Sequence, residues 1–269
     1  MPESQTMANS HELLELYKVS KSFGPVQSLA DVDLTIPLAK VTALVGDNGA
    51  GKSSLVKCIA GIHSADSGEI VFEGKHIKLK SPRDAADLGI ETVYQDLALC
   101  DNLDIVQNMF LGRERTRKGL LDEDSMEQSA KETLASLSVT TVRSIRQPVA
   151  SLSGGQRQAV AVAKAVMWNA KLVIMDEPTA ALGVAQTRMV LDLVRRLAER
   201  GLGVLIISHN MNDVFEVADR IAVLRLGRMV AQEDVKAFDR QIIVDLMTTG
   251  SSTRTAAKAN SHGIESKEN

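Results

Sequence analysis

A nine-residue loop held between a strand-length apolar run and a helix narrows the fold of this chain more than any other feature. The run "KVTALVG" ends at Gly46, and Gly46-Asp47-Asn48-Gly49-Ala50-Gly51-Lys52-Ser53-Ser54 has the spacing G-x-x-x-x-G-K-[ST]. Glycines at these steps let backbone N–H groups wrap phosphate oxygens. The helix expected from Ser53 to Ala60, stopped by Gly61, points its positive end at the same anion. Lys52 supplies a mobile cation for the outer phosphates, and the Ser53 hydroxyl a ligand for Mg²⁺. Strand, phosphate-wrapping turn and helix in direct succession place a ligand at the carboxyl end of a strand in an α/β sheet.

The remaining pattern agrees. "IETVYQ" reads as a strand, and "KLVIMDEP" and "GVLIISH" as buried ones. "SGEIVFEGKHIKL" and "DRIAVLRLGRMVAQ" read as hairpins around Glu73-Gly74 and Leu226-Gly227. Ser81-Pro82 starts a short helix that Gly89 ends, and Thr187 to Arg200 is an amphipathic helix stopped by Gly201. Residues 103–147 are expected to be mostly helical, most clearly "EDSMEQSAKETLASL". Continuous apolar strands separated by helices imply a parallel sheet covered on both faces.

That sheet would bring more chemistry to one edge. Asp176 and Glu177 follow "LVIM", His209 follows "GVLIIS", and Gln95 follows "ETVY". Asp176 is placed to hold Mg²⁺ directly or through water, and Glu177 to polarise an attacking water. Gln95 is placed to reach the metal or that water. None of these residues means much alone; their convergence with Lys52 at one sheet edge does.

A second glycine pair raises a different question. In "SLSGGQRQAV", Ser153 is a sound N-cap for a helix with apolar residues from Ala159 through Val166. Gly154 and Gly155 weaken that start, so something must come close to the backbone there.

Bulk properties exclude several classes. A net charge of −3 and a pI near 6.0 argue against a dedicated nucleic-acid binder. Two cysteines, Cys58 and Cys100, without C-x-x-C spacing make disulfides and zinc sites unexpected and point to a reducing compartment. Cys58, inside an apolar helical run, is expected in the core. No run approaches the roughly 20 apolar residues that span a bilayer, and no signal peptide is expected. Residues 1–12 are expected to be a flexible start and residues 250–269 a disordered tail.

The order of phosphate loop, Gln95, "LSGGQ" (Leu152 to Gln156), "LVIMDE" (Leu172 to Glu177) and His209 resembles the ATP-binding cassette (ABC) transporter ATPases, over about residues 13–249. The resemblance implies a P-loop NTPase with a RecA-like core, an antiparallel β subdomain and a helical subdomain inserted at about residues 90–162. It implies ATP and Mg²⁺ as cofactors, with Gly46 through Ser54 on the nucleotide, Ser53, Gln95 and Asp176 toward the metal, and Glu177, His209 and Gln95 around the hydrolytic water. Phe23 matches the aromatic that stacks on adenine, with Tyr17 as the alternative. Two cassettes would pack head to tail, so that Ser153, Gly154, Gly155 and Gln156 face the γ-phosphate held by the other one. On this reading a side chain at 154 or 155 would hold the halves apart.

"GDNGAGKSSL", "GIETVYQDLAL", "NMFLGRE", "PTAALG" and "ISHNM" are most similar to the ribose, xylose and fructose importer branch, and to the single-cassette fructose type within it. Gly183 stands where most members carry Asp, which puts the usual cross-dimer hydrogen bonds of that position in doubt. The expected partners are membrane permease subunits, an extracytoplasmic sugar-binding protein and a second cassette, with no nucleic acid, and the expected location is the cytoplasmic face of the inner membrane. An ABC ATPase serving another nutrient or an exporter is the alternative, and a soluble non-transport ABC ATPase a further one. A permease-facing surface is expected between Gln95 and Gly112, where Leu97, Leu99, Leu103, Ile105 and Phe110 compete between core and groove.

Overall fold

The structure is a computed structural model that describes residues 12–139 and 142–251; the expectations for residues 1–11 and 252–269 lie outside them. The chain opens with two long antiparallel strands, β1 (Glu12–Phe23) and β2 (Val26–Pro37), and β3 (Val41–Val45) then runs into the glycine-rich loop and α1 (Lys52–Ile59). A hairpin of β4 (Ser67–Phe72) and β5 (Lys75–Ile77) precedes α2 (Pro82–Leu88) and β6 (Ile90–Val93). Next come α3 (Ile105–Phe110), a small β7 (Thr116–Arg117) and β8 (Leu120–Leu121) ladder, and α4 (Glu123–Ser136). Then follow α5 (Gly154–Val166), β9 (Leu172–Asp176), α6 (Val184–Glu199), β10 (Gly203–Ile207) and α7 (Met211–Val217). The hairpin of β11 (Arg220–Arg225) and β12 (Arg228–Asp234), and α8 (Arg240–Thr249), complete the described chain.

The strands form two main sheets. One is antiparallel, in the order β2-β1-β4-β5. The other has six strands in the order β12-β11-β3-β10-β9-β6, parallel from β11 to β6, with β12 as its antiparallel edge. Both faces of this second sheet are dry. Val173, Met175, Val204 and Ile206 point into a cluster shared with α3 to α6. Leu172, Ile174, Leu205 and Ile207 point the other way, against α1 and the antiparallel sheet. Alternate residues therefore serve two cores, which is why β9 and β10 are apolar without interruption. Cys58 is in the second core, 1% exposed.

Several boundaries differ from the sequence expectation. Residues 103–147 are only partly helical. The helix of Ile105–Phe110 ends at Leu111, the short ladder of Thr116–Leu121 follows, and Glu123–Ser136 is the one longer helix before Gly154. Gly112, at φ +79, and Gly119, at φ +84, adopt turn conformations that a continuous helix excludes. The α6 helix starts at Val184, three residues before Thr187, because Gly183 takes the extended N-cap geometry. The β1–β2 hairpin and the short α7 and α8 helices were not expected. In β1 the pairing with β2 shifts register repeatedly, which breaks the alternation that would have revealed the strand.

Candidate functional site

Three adjacent strands deliver the site. Ile207 of β10 lies opposite Asp176 of β9 and opposite Leu44 of β3, so the carboxyl ends of all three strands stop side by side. The loop after β3 is tightly seated. A Cβ on Gly46 would stand 2.2 Å from the Leu224 carbonyl oxygen, and one on Gly51, at φ +104, would stand 2.7 Å from that of Ser28. No side chain fits at either point, so the backbone of Gly46–Gly51 is held against β11 and β2 and cannot be rebuilt with larger residues. Asp47, Asn48 and Gly49 are exposed on the outside of the turn, and Ala50 is buried beneath it.

Lys52 donates from Nζ to the carbonyl oxygens of Gly46 at 2.6 Å and Asp47 at 3.0 Å, folding back over its own loop. Burial lowers its pKa, while the charges of Glu177, Asp47 and Asp176 pull it up again. Ser53 is exposed at the start of α1, and the neighbouring Ser54 hydroxyl is 2.7 Å from that of Ser28.

Asp176 is half-buried at the end of β9. Burial raises its pKa, and the adjacent Glu177 charge adds to this, against the pull of Lys52 and Lys57. A carboxylate under that strain suits a cation. Among the described residues no group of three or more His, Cys, Asp or Glu could hold a metal by themselves. Mg²⁺ commonly takes one or two protein ligands and the oxygens of a bound phosphate. Ser53 and Asp176 fit that donor set, and Gln95, exposed two residues beyond β6, stands beyond the adjacent strand at the same edge.

Glu177 has φ +48, a left-handed backbone that costs an L-residue about 1–2 kcal/mol. Its N–H donates to the Ile207 carbonyl oxygen at 2.9 Å, fastening it to β10. Its Oε2 is 2.8 Å from His209 Nδ1, so the acid after β9 and the histidine after β10 form one hydrogen-bonded pair. The carboxylate is largely covered, 17% exposed, while the imidazole is open at 74%. Among the described residues no side chain donates to Glu177 Oε1, which leaves that oxygen available to a further donor.

Phe23 is 43% exposed at the end of β1. His63 meets its ring edge-on, with centroids 5.0 Å apart, and Lys21 Nζ lies 5.6 Å from its centre. This is an aromatic face at the rim of the molecule, not a core residue. Tyr17 is also exposed, with its hydroxyl donating to Glu15.

The second glycine pair opens α5, on a different element from the phosphate loop. Ser153 caps the helix as expected, in a reciprocal capping box: Gln156 N donates to its Oγ at 3.4 Å, and its own N–H donates to Gln156 Oε1 at 2.9 Å. Ser153 and Gly154 are exposed, whereas Gly155 is buried. A Cβ on Gly155 would stand 2.6 Å from Met189 Cε and 3.2 Å from Gln186 Cβ, both on α6. One on Gly154 would stand 2.8 Å from Leu182 Cδ2. Close packing within the chain bears on both glycines unequally: at 154 only the mobile tip of Leu182 would have to move, whereas at 155 the Met189 methyl would have to swing away and Gln186 Cβ give by a few tenths of an ångström.

The sequence reading passed over Thr179, Asn210 and Asp213, which link the two loops behind the Glu177–His209 pair. Thr179 and Asn210 stand in the "PTAALG" and "ISHNM" segments, but nothing in their spacing shows the link that Asp213 makes between them.

Residues 29–180 match the family model described as ABC transporter. A xylose/arabinose import ATP-binding protein of Sulfolobus acidocaldarius is 50% identical over 238 residues, spanning 88% of this chain and 94% of that protein. A fructose import ATP-binding protein of Rhizobium meliloti is 48% identical over 235 residues, 85% of this chain and 90% of that one. A ribose import ATP-binding protein of Chromobacterium violaceum is 40% identical over 229 residues, 85% of this chain but only 45% of the longer relative. Among solved structures, an ATP-binding cassette of an ABC transporter in its ADP conformation superposes with a TM-score of 0.76 at 26% identity, covering 91% of this chain and 98% of that one. The motifs, the fold and these relatives agree: the chain belongs to the ABC transporter family and is an ATPase of its ATP-binding type.

Proposed function

We propose that this ATPase energises import of a monosaccharide from the cytoplasmic face of the inner membrane, as one of two cassettes that close around two ATP molecules. The observation that carries the catalytic part is the convergence of Lys52, Asp176, Glu177 and His209 at one sheet edge, with Glu177 Oε2 and His209 Nδ1 2.8 Å apart. Gly46 to Ser54 wrap the phosphates, Lys52 leaves its loop carbonyls for the outer phosphates, and Phe23 offers its exposed face to adenine. Ser53 and Asp176, with Gln95, would hold Mg²⁺, which would supply charge neutralisation at the phosphates. With its proton on Nδ1, His209 donates to Glu177 and orients that carboxylate, whose other oxygen takes a proton from water. Ser153, with the backbone of Gly154 and Gly155 and with Gln156, serves the nucleotide held by a second cassette.

The sugar assignment is supported by the import relatives and by the "IETVYQDLAL", "PTAALG" and "ISHNM" segments. Among the described residues no helix is long and apolar enough to cross a membrane, so movement of cargo falls to permease subunits, supplied by an extracytoplasmic sugar-binding protein. The docking surface we assign to the permease lies beside Gln95, where residues of about 90–162 act as the helical subdomain. Two adjoining clefts of about 890 and 320 Å³ share Glu91, Thr92, Tyr94, Arg113 and Trp168. Ile105 and Phe110 are fully buried and belong to the core, and Leu97 and Leu99 both pack against it. Leu97 lines the smaller cleft, joined by Leu111.

Deleting the gene is expected to abolish ATP-dependent uptake of one or a few monosaccharides, with fructose, ribose and xylose tested first. Wild-type protein should restore it, and Glu177→Gln, which cannot take the proton, should not. Normal uptake of all such sugars together with lost transport of another nutrient would refute the cargo and leave the ATPase intact.

A further inference from the structure

Among the described residues Asp213 is the one charged side chain in the buried set, 5% exposed. Its two oxygens serve two different loops. Oδ2 accepts from the Thr179 hydroxyl at 2.6 Å, and Oδ1 accepts from Asn210 Nδ2 at 2.9 Å. Thr179 stands two residues after Glu177, and Asn210 stands one residue after His209. Asn210 is itself fixed at both ends: its N–H donates to Ser208 Oγ at 3.1 Å, and its Oδ1 accepts from Asn212 N at 3.0 Å as the N-cap of α7. No cationic side chain pairs with Asp213 among the described residues. It lies in the first turn of α7, where the helix N-terminus favours a carboxylate, and its two bonds are charge-assisted.

The neighbouring backbone needs such a fastening. Glu177 sits in a left-handed conformation that persists only where surroundings over-determine it. Its amide is held by Ile207 and its carbonyl oxygen by Ala180 N at 3.1 Å. These bonds fix the turn locally, and the Ile207 bond ties it to β10. Apart from the exposed Glu177–His209 contact, the side-chain bonds joining the turn to the loop after β10 run through Asp213.

We propose that Asp213 is a positioning residue for ATP hydrolysis: by bonding Thr179 and Asn210 at once, it holds the turn of Glu177 and the loop of His209 as one unit and keeps their pair aligned through turnover. The inference rests on Glu177 being the base.

The test uses the full-length chain with Mg-ATP, measuring kcat, KM, equilibrium ATP binding and thermal melting. Thr179→Val removes the hydroxyl at nearly constant shape, and Asp213→Asn removes the charge. Each is expected to lower kcat about 10- to 100-fold, with KM and ATP affinity within about twofold of wild type. Thr179→Ser, which keeps the hydroxyl, should recover most of the turnover. The double variant should be no slower than the worse single one, because both act on the same link, weakened by loss of charge in one and broken by loss of the hydroxyl in the other. Should Asp213→Asn fail to fold, the Thr179 pair decides alone. Wild-type kcat in Thr179→Val, or a loss confined to KM, or a Thr179→Ser variant as slow as Thr179→Val, overturns the proposal. Glu177→Gln is assayed alongside. Full activity there would remove the base assignment itself, whereas an inactive Glu177→Gln beside a normal Thr179→Val removes only the role of Asp213.

Discussion

Asp176 shows at the scale of one residue how a binding site works against stability. Burial and the Glu177 charge raise its pKa above the ordinary 3.8, so the folded chain binds that proton more tightly than the unfolded chain does. The sign follows directly: the folded state is favoured relative to the unfolded one at low pH, and this advantage is lost as pH rises from the ordinary value through the raised one. At neutral pH the ionised side chain is a burden. Asp176→Asn is therefore expected to stabilise the fold at pH 7 by a small amount, less than about 1 kcal/mol after solvent screening, seen as a slightly higher melting temperature, while abolishing turnover. The gain should vanish when melting is repeated near pH 3.5. A destabilised Asp176→Asn at neutral pH would show that the carboxylate has a stabilising partner after all.

Among the elements, α6 carries the clearest unused opportunity. Its N-cap, Gly183, has φ −73 and ψ 161, an extended geometry open to any residue, and a Cβ there meets nothing within 4 Å. Gln186 Oε1 accepts from the Gly183 N–H at 3.4 Å, yet glycine has no oxygen to return the bond. Gly183→Asp should complete the cap, oppose the helix dipole and reduce the freedom of the unfolded chain. The expected gain is about 1 kcal/mol, or about 2–4 °C in melting temperature. An unchanged or lower melting temperature would contradict this account. Ser81 and Asp104 show what a complete cap looks like in the same chain, each closing a reciprocal box at the start of α2 and α3.

At the scale of the whole molecule, the open question is how one cassette meets another. Ser153 is exposed at the N-terminus of α5, and its phosphate-binding counterpart on this chain lies on a different element. Gly155→Asp is a poor probe of a shared site, since its Cβ would also displace the Met189 tip and crowd Gln186 on α6. Ser153→Asp is a better one. Aspartate keeps the cap but brings a negative charge to the place where Ser153 would donate to a γ-phosphate. Glu177→Gln with ATP is expected to dimerise by light scattering. Adding Ser153→Asp should leave it monomeric, with melting and nucleotide binding unchanged. Dimers that survive Ser153→Asp would remove Ser153 from the interface.

What the residues alone determined was the class of sheet and the set of groups we propose for its edge. Glycine spacing, the acids after "LVIM" and the histidine after "GVLIIS" are legible because phosphate wrapping and two-sided burial each impose a local residue pattern. The bulged β1–β2 hairpin was not legible, because its register shifts erase the period of two. Nor was the reason for Gly155, which lies in a helix thirty residues further along the chain. Thr179 and Asn210 lie in the quoted "PTAALG" and "ISHNM" segments, but their link through Asp213 was not legible, since a hydrogen bond between residues 34 apart leaves no trace in spacing. Tertiary structure decided these because each depends on which surfaces meet. The linear pattern records only which surfaces must leave water.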